Sequence, residues 1–373
     1  MSERRPPSAL LESLLDAADA ADASDIHLKP EAPVCLRVDG QLVDLELPPP
    51  DEAALRELVS ELLPPGLAQR DARERPREVD VSFRPPRRDG YRVNIAVQGG
   101  KPVVAMRRIS RAIPAIGELN LPPVLAELAE CESGLVLLAG RTGAGKTTAL
   151  AAMVGHLNRS ARRHIVTLED PIEYLFADER SRIEQREIGL DTASFESGFR
   201  NLLRQDPDVV VIGELRDQDG IRASLRAARA GRLVLATVHA ATAARTIGRL
   251  LELLPSAERE VARGELSEML RGVLCLRLLK AAGGGRVPAS ELLLRSAASA
   301  KAIRNGAIDD LGVLLAAGDE GVHDFNASLA ALVADGRISR ESALACSDNP
   351  SALQMKFQGI RLHEERRILG GGS

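Results

Sequence analysis

A chain of 373 residues, 45% hydrophobic and 27% charged, is long enough for two or three buried cores and ordinary in its surface charge. Its 49 basic and 53 acidic residues leave a net charge of −4, which argues against a protein built chiefly to coat nucleic acid. No apolar run approaches the ~18 residues of a membrane span, and Cys35, Cys131, Cys275 and Cys346 form no C-x-x-C pair, which disfavours a zinc ribbon.

The first stretch, "MSERRPPSALLESLLDAADAADAS", carries acids inside its apolar run and is no secretory signal. It predicts an amphipathic helix with Leu10, Leu11, Leu14, Leu15 and Ala18 on one face, in a cytosolic chain. Residues 24–47 alternate apolar and polar positions around Asp39-Gly40, a hairpin signal. A helix over Asp51 to Leu63 follows, closed by Pro64-Pro65. "EVDVSFR", "YRVNIAV" and "PVVAMRRI" read as strands, so residues 1–110 form a small α+β domain and the proline-punctuated residues 111–121 a linker. From Leu135 the texture changes. "GLVLLAG", "HIVTLED", "DVVVIGE" and "RLVLATVHA" alternate with helical stretches, as in a mostly parallel sheet covered on both faces. After Gly283-Gly284-Gly285-Arg286, "VPASELLL" is another strand, helical segments run to about Lys356, and a glycine-rich tail follows. With two tyrosines and no tryptophan, little aromatic surface is left for stacking bases.

The stretch from Gly140 to Thr147, "GRTGAGKT", fits G-x-x-x-x-G-K-[ST] in full, after a predicted strand and before a predicted helix. Glycines let backbone N–H groups converge on phosphate oxygens, and the helix N-terminus adds its positive end. Gly140, Arg141, Thr142, Gly143, Ala144, Gly145, Lys146, Thr147 and Thr148 are therefore candidate nucleotide-binding residues. Lys146 can reach the β/γ-phosphates, and the Thr147 hydroxyl can ligate Mg²⁺. A glycine-rich turn with a solvated lysine would satisfy the spacing but leaves the strand–helix context unexplained.

Two acidic sites and a histidine fall at predicted strand ends: Glu169 with Asp170, Glu214, and His239. Catalytic groups of open parallel sheets gather beyond the carboxyl ends of the strands. A carboxylate there can orient water, accept its proton or hold magnesium through water. Taken singly, each such acid is as readily a cap or a surface ion-pair partner, and a strand-end histidine is often structural.

Taken together, the cradle, "TLEDPIEY", "QDPDVVVIGELRD" and "LVLATVHAATAARTIGRLLELLP" resemble the Walker A, aspartate-box, Walker B and histidine-box segments of type II/IV secretion ATPases. Within them the chain is most similar to the type IV pilus retraction (twitching-motility) ATPases, through "SDIHL", "RVDGQL", "EQREIGLDTASFESGFRNLLRQDPD" and "KAIRNGAI". The resemblance implies an α/β fold: a smaller N-terminal PAS-like α+β domain, a RecA-like P-loop ATPase core over 122–290, a helical C-terminal part over 291–356 and a disordered tail over 357–373. It implies ATP and Mg²⁺ as cofactors, Glu169 as catalytic carboxylate and Glu214 as the Walker B acid near the metal. Gly213 stands where many P-loop ATPases carry the metal-binding aspartate. His239 would couple nucleotide state to the sheet, and Arg92 and Arg107 match basic residues that reach the nucleotide from the N-terminal domain. On their own sequence, both arginines read rather as solvent-facing strand-edge residues, and only the resemblance reverses that reading. The implied partners are further copies in a hexameric ring and an inner-membrane pilus platform protein, at the cytoplasmic face of that membrane, with neither nucleic acid nor membrane insertion. An assembly or type II secretion motor, or a nucleic-acid translocase, is the alternative. Two positions depart from the retraction pattern: Gly306 replaces a leucine, and Arg232 a histidine.

Overall fold

The computed structural model describes residues 8–38, 40–63, 78–85, 88–109, 112–318 and 321–358. Asp39 of the turn signal, the Pro64-Pro65 helix stop, residue 111 at the start of the linker and the tail from residue 359 onward thus lie outside the described residues. The chain forms two compact units, one of Met1–Ala112 with Pro171–Phe176, the other of Ile113–Asp170 with Ala177–Ser373.

The first unit is built on a six-stranded antiparallel sheet. Its strands are β1 (Asp25–Leu28), β2 (Cys35–Val38), β3 (Gln41–Asp44), β4 (Glu78–Phe83), β5 (Gly90–Gln98) and β6 (Lys101–Ile109), in the order β3-β2-β1-β6-β5-β4. The helices Ala9–Ala20 and Glu52–Leu62 start on side-chain caps, Ser8 accepting from the Leu11 amide and Asp51 from the Ala54 amide. Leu11, Leu14, Leu15 and Ala18 are buried as their spacing predicts, while Leu10 is only partly covered. They pack with Leu55, Leu58, Ile26, Val93 and Met106 in one cluster. Strict alternation along β5 and β6 turns Val93, Ile95, Val104 and Met106 inward. Arg92, Asn94 and Arg107 therefore face away from the helices. The short return Pro171–Phe176 adds Ile172 and Leu175 beside Ile109.

The second unit carries a seven-stranded sheet ordered β13-β12-β7-β11-β10-β8-β9. Its strands are β7 (Gly134–Gly140), β8 (His164–Glu169), β9 (Arg182–Glu187), β10 (Val209–Ile212), β11 (Leu233–Val238), β12 (Leu270–Lys280) and β13 (Arg286–Leu294). All neighbours run parallel except the hairpin β12–β13. Every residue of β7, β10 and β11 is buried, the pattern of strands covered on both faces. β9 and β12 are not singled out by the sequence reading. β9, "RIEQRE", is a polar edge strand whose only neighbour is β8. β13 runs to Leu294, so the segment from residue 291 begins as strand before the helices Ala297–Asn305, Asp310–Ala317, Phe325–Ala334, Arg340–Cys346 and Pro350–Phe357.

Candidate functional site

The glycine-rich loop leaves the buried end of β7 and enters the helix Lys146–Ser160. Its three glycines serve different purposes. A Cβ on Gly140, at φ +152°, would lie 2.7 Å from the Leu276 carbonyl oxygen and 2.8 Å from the Ala144 Cβ. Gly143 and Gly145, at φ +77° and +91°, have nothing within 4 Å of an added Cβ, so there only the backbone conformation asks for glycine. Gly145 is the N-cap and offers no side-chain acceptor, so the first amides of the helix are left for an external anion. Lys146 is only 8% exposed. A buried ammonium must find acceptors, and its Nζ donates to the carbonyls of Gly140 at 2.9 Å and Arg141 at 3.1 Å. Arg141, Thr142 and Gly143 are exposed, Ala144 is buried, and Thr147 and Thr148 sit half-buried in the first helical turn.

Three neighbouring strands deliver the remaining groups. Glu169, the last residue of β8, accepts from Thr167 Oγ1 at 2.7 Å and Gln185 Nε2 at 3.2 Å. At the end of β10, the Gly213 amide donates to the Leu168 carbonyl at 2.8 Å. A Cβ on Gly213 would stand 3.3 Å from the Glu169 Cα. A side chain here would crowd the backbone that carries Glu169, which gives glycine a physical reason at this position. Glu214 follows, its Oε1 3.2 Å from His239 Nε2 just past β11 and its Oε2 accepting from Arg216 Nε at 2.9 Å. Arg216 also reaches Asp170, at 3.2 Å. Glu214 and His239 thus meet as one pair, and Arg216 bridges two acids. Arg216, Gln185 and Thr167 escape the sequence reading. Arg216 lies inside the "GELRD" segment, but its spacing of two from Glu214 does not show that it reaches both acids.

Among the described residues no group of three or more His, Cys, Asp or Glu side chains could hold a metal by itself. A divalent ion at Thr147 and Glu214 would need its other ligands from phosphate oxygens and water, the habit of Mg²⁺ in phosphate sites. That donor set fits Mg²⁺ bound together with a nucleotide.

Arg92 and Arg107 belong to the first unit. They stand directly opposite each other on β5 and β6, and Arg107 is in turn opposite Asp25 on β1, itself opposite Arg37 on β2. Three guanidinium groups thus share a cross-strand row with one carboxylate. Arg107 Nε donates to Asp25 at 2.8 Å, Arg37 lies 3.8 Å from it, and Arg92 lies 3.9 Å from Asp80. Burial pushes the Asp25 carboxyl upward, but hydrogen bonds from Ser24 and Arg107 outweigh it and hold the group below its ordinary value. The two departures from the retraction pattern have structural roles. Gly306 caps the helix Ala297–Asn305 at φ +75°, with Arg263 Nη1 2.9 Å from where a Cβ would be. Arg232 ties the Ala230 carbonyl at 2.8 Å to Asp206 at 2.9 Å at the entrance to β11.

Among the described residues no helix is long and apolar enough to cross a membrane. Residues 2–306 match the profile of the family described as type II/IV secretion system protein. The chain is 36% identical over 334 residues to the type IV pilus retraction ATPase PilT of Pseudomonas aeruginosa, covering 89% of this chain and 96% of that one. It is 35% identical over 320 residues to a twitching motility protein of Neisseria gonorrhoeae, covering 85% of each. The crystal structure of the pilus retraction motor PilT with bound ADP superposes with a TM-score of 0.85 at 36% identity, covering 93% of this chain and 99% of that one. The profile, the relatives and the shared fold agree with the phosphate cradle described above: the chain belongs to the type II/IV secretion system protein family, is similar to the pilus retraction ATPases, and is an ATPase.

Proposed function

We propose that the protein is a hexameric motor that hydrolyses Mg²⁺–ATP to drive type IV pilus retraction. The observation that carries this reading is the convergence of the Lys146 cradle, Glu169, and the Glu214–His239 pair on successive strand ends of one sheet. Lys146 and the loop amides from Gly140 to Thr148 hold the phosphates. Thr147 and Glu214 would hold Mg²⁺, which would supply positive charge against that building on the phosphoryl oxygens. Glu169 orients the attacking water and takes its proton. His239 reports the state of Glu214 to the sheet. Arg92 and Arg107 supply positive charge to the transferred phosphoryl group.

Retraction is favoured over assembly or type II secretion by coverage. The match takes in 96% of the retraction ATPase of P. aeruginosa but 49% of the type II secretion protein E of Xanthomonas campestris, at 31% identity. The partners in this reading are five further copies and an inner-membrane pilus platform protein, with the ring docked at the cytoplasmic face of that membrane. A nucleic-acid translocase would be stimulated by DNA; this protein is expected not to be.

The test is Glu214→Gln, assayed for turnover and for binding of a fluorescent ATP analogue. The amide should still bind nucleotide and lose about 10²–10³ in kcat, the usual effect of removing one group that stabilises transition-state charge. Near-wild-type turnover would sink the assignment. Light scattering during the assay tests the ring: full activity in a demonstrated monomer overturns it.

A further inference from the structure

We propose that Glu291 is a positioning residue for ATP hydrolysis: from β13 it holds the N-terminus of the helix Ala243–Glu252 and so fixes the loop that presents His239 to Glu214. The inference rests on the reading of His239 given above and adds a residue that carries no phosphate or metal itself.

The geometry is short and closed. β11 ends at Val238, and only residues 239–242 separate it from the helix. One end of this loop is fixed where His239 Nε2 lies 3.2 Å from Glu214. At the other end the Ala243 amide donates to Glu291 Oε1 at 2.7 Å. A helix leaves its first amides without internal partners. Thr242 Oγ1 takes the Arg245 amide at 3.2 Å, but Ala243 is fully buried and cannot turn to water. Glu291, itself only 6% exposed and 48 residues further along the chain, fills the vacancy.

A carboxylate is a costly choice for one buried amide, since a glutamine would accept the same bond without desolvating a charge. What the charge adds is strength, because a charge-assisted bond at the positive end of a helix is about twice as strong as a neutral one. Burial raises the Glu291 carboxyl to about 7, against the opposing pull of the Ala243 amide and of Arg277. The other groups around it leave this titration to Glu291. Across the hairpin on β12, Cys275 is pushed well above its ordinary value by burial. Arg277, on the same strand, is turned to the Cys346 carbonyl at 2.8 Å and to Asp348, over the Phe325 ring at 3.9 Å. Asp324, before the helix Phe325–Ala334, is paired with Lys356 at 2.8 Å. His323, 3.0 Å from Ser290, is held below its ordinary value by burial. The buried faces of the helices Ala243–Glu252 and Asp310–Ala317, with Thr246 and Ile247 on one and Leu311 and Leu315 on the other, bring no charge.

The experiment compares Glu291→Ala, Glu291→Gln, His239→Ala and the Glu291→Ala/His239→Ala double variant in the full chain. Steady-state turnover is measured from pH 6 to 8.5, and nucleotide affinity with a fluorescent ATP analogue. Glu291→Ala should lower kcat about tenfold while affinity changes less than about twofold, and the double variant should be no slower than His239→Ala alone. The anionic carboxylate is the stronger anchor, so wild-type kcat should rise as pH passes through about 7. Glu291→Gln, an acceptor without charge, should recover most of the turnover and lose that rise. Additive effects in the double variant, a parallel loss of affinity, or a wild-type pH profile in Glu291→Gln would overturn the proposal. If Glu291→Ala does not fold, the Glu291→Gln profile decides alone. Wild-type turnover in His239→Ala overturns both this inference and the reading of His239, whereas a slow His239→Ala beside unaffected Glu291 variants overturns this inference only.

Discussion

The two sheets place their charged groups in opposite ways. In the seven-stranded sheet both faces of the central strands are buried, so polar groups are expelled to the strand ends, where Glu169, Glu214 and His239 gather. In the six-stranded sheet one face is covered by helices, and the charges lie across the strands on the other face, where register alone makes neighbours of Arg37, Asp25, Arg107 and Arg92. A site at strand ends is set by topology, and substitutions there can change chemistry without touching the core. A site laid across strands is part of the sheet's own cross-strand energetics. Changes there should be felt in stability as well.

Lys146→Ala should lower turnover by about 10²–10³ and weaken nucleotide binding, by loss of the cation facing the phosphates. Its thermal midpoint should hold or rise, because the substitution also removes a buried ammonium; a large fall in midpoint would erase the contrast. Asp25→Ala should do the reverse. It leaves the guanidinium groups of Arg37 and Arg107 without their shared counterion, and should cost about 1.5–3 kcal/mol of unfolding free energy, the range for hydrogen bonds to charged groups. The sign with pH follows from the lowered carboxyl: the stabilisation is present above the unfolded value of 3.8 and disappears as pH falls through the lower folded value. Denaturant melts of wild type and Asp25→Ala should therefore converge in strong acid.

Smaller effects sharpen the picture within the second unit. Gly306→Leu restores the leucine of the retraction pattern, but at φ +75° and against Arg263 it should cost at least about 1–2 kcal/mol from the left-handed backbone alone. A calorimetric midpoint equal to wild type would show that Arg263 and the cap can rearrange. Arg232→His, at an ion pair whose Asp206 partner is almost wholly exposed, should cost about 0.2–1 kcal/mol and leave turnover unchanged. A loss of turnover would place Arg232 in the chemistry rather than in the turn.

Much of the strand-end site is legible because its signals are local. The positive φ of Gly143 and Gly145 is what a glycine in a phosphate loop requires, and a buried apolar strand points to its own carboxyl end. Arg216 was harder, since nothing in its spacing shows that a side chain on an exposed loop folds back to Glu214 and also to Asp170. Gln185 is hidden for another reason: "RIEQRE" has no strand signature, because an edge strand need not be apolar. The row containing Arg92 and Arg107 could not be read at all. It depends on pairing Asp25 with a residue 82 positions later, and register of that kind is fixed by the packing of the whole sheet. The return of Pro171–Phe176 to the first unit is invisible for the same reason, as its partners Ile109 and Gly90 are far off in sequence.

The hairpin β12–β13 binds two distant parts of the chain to one stretch of backbone. The carbonyl of Leu276 forms the wall against which Gly140 must remain bare, and the next residue, Arg277, moors the last helices through Cys346, Asp348 and Phe325. Side chains alternate along a strand, so deleting a single residue between Gly272 and Leu276, past the register shift at Arg271, would move Arg277 to the wrong side of the sheet while taking the wall from the loop. Length changes that the surface loops absorb are closed to this part of the strand, and the C-terminal helices and the nucleotide loop can diverge only in step with each other.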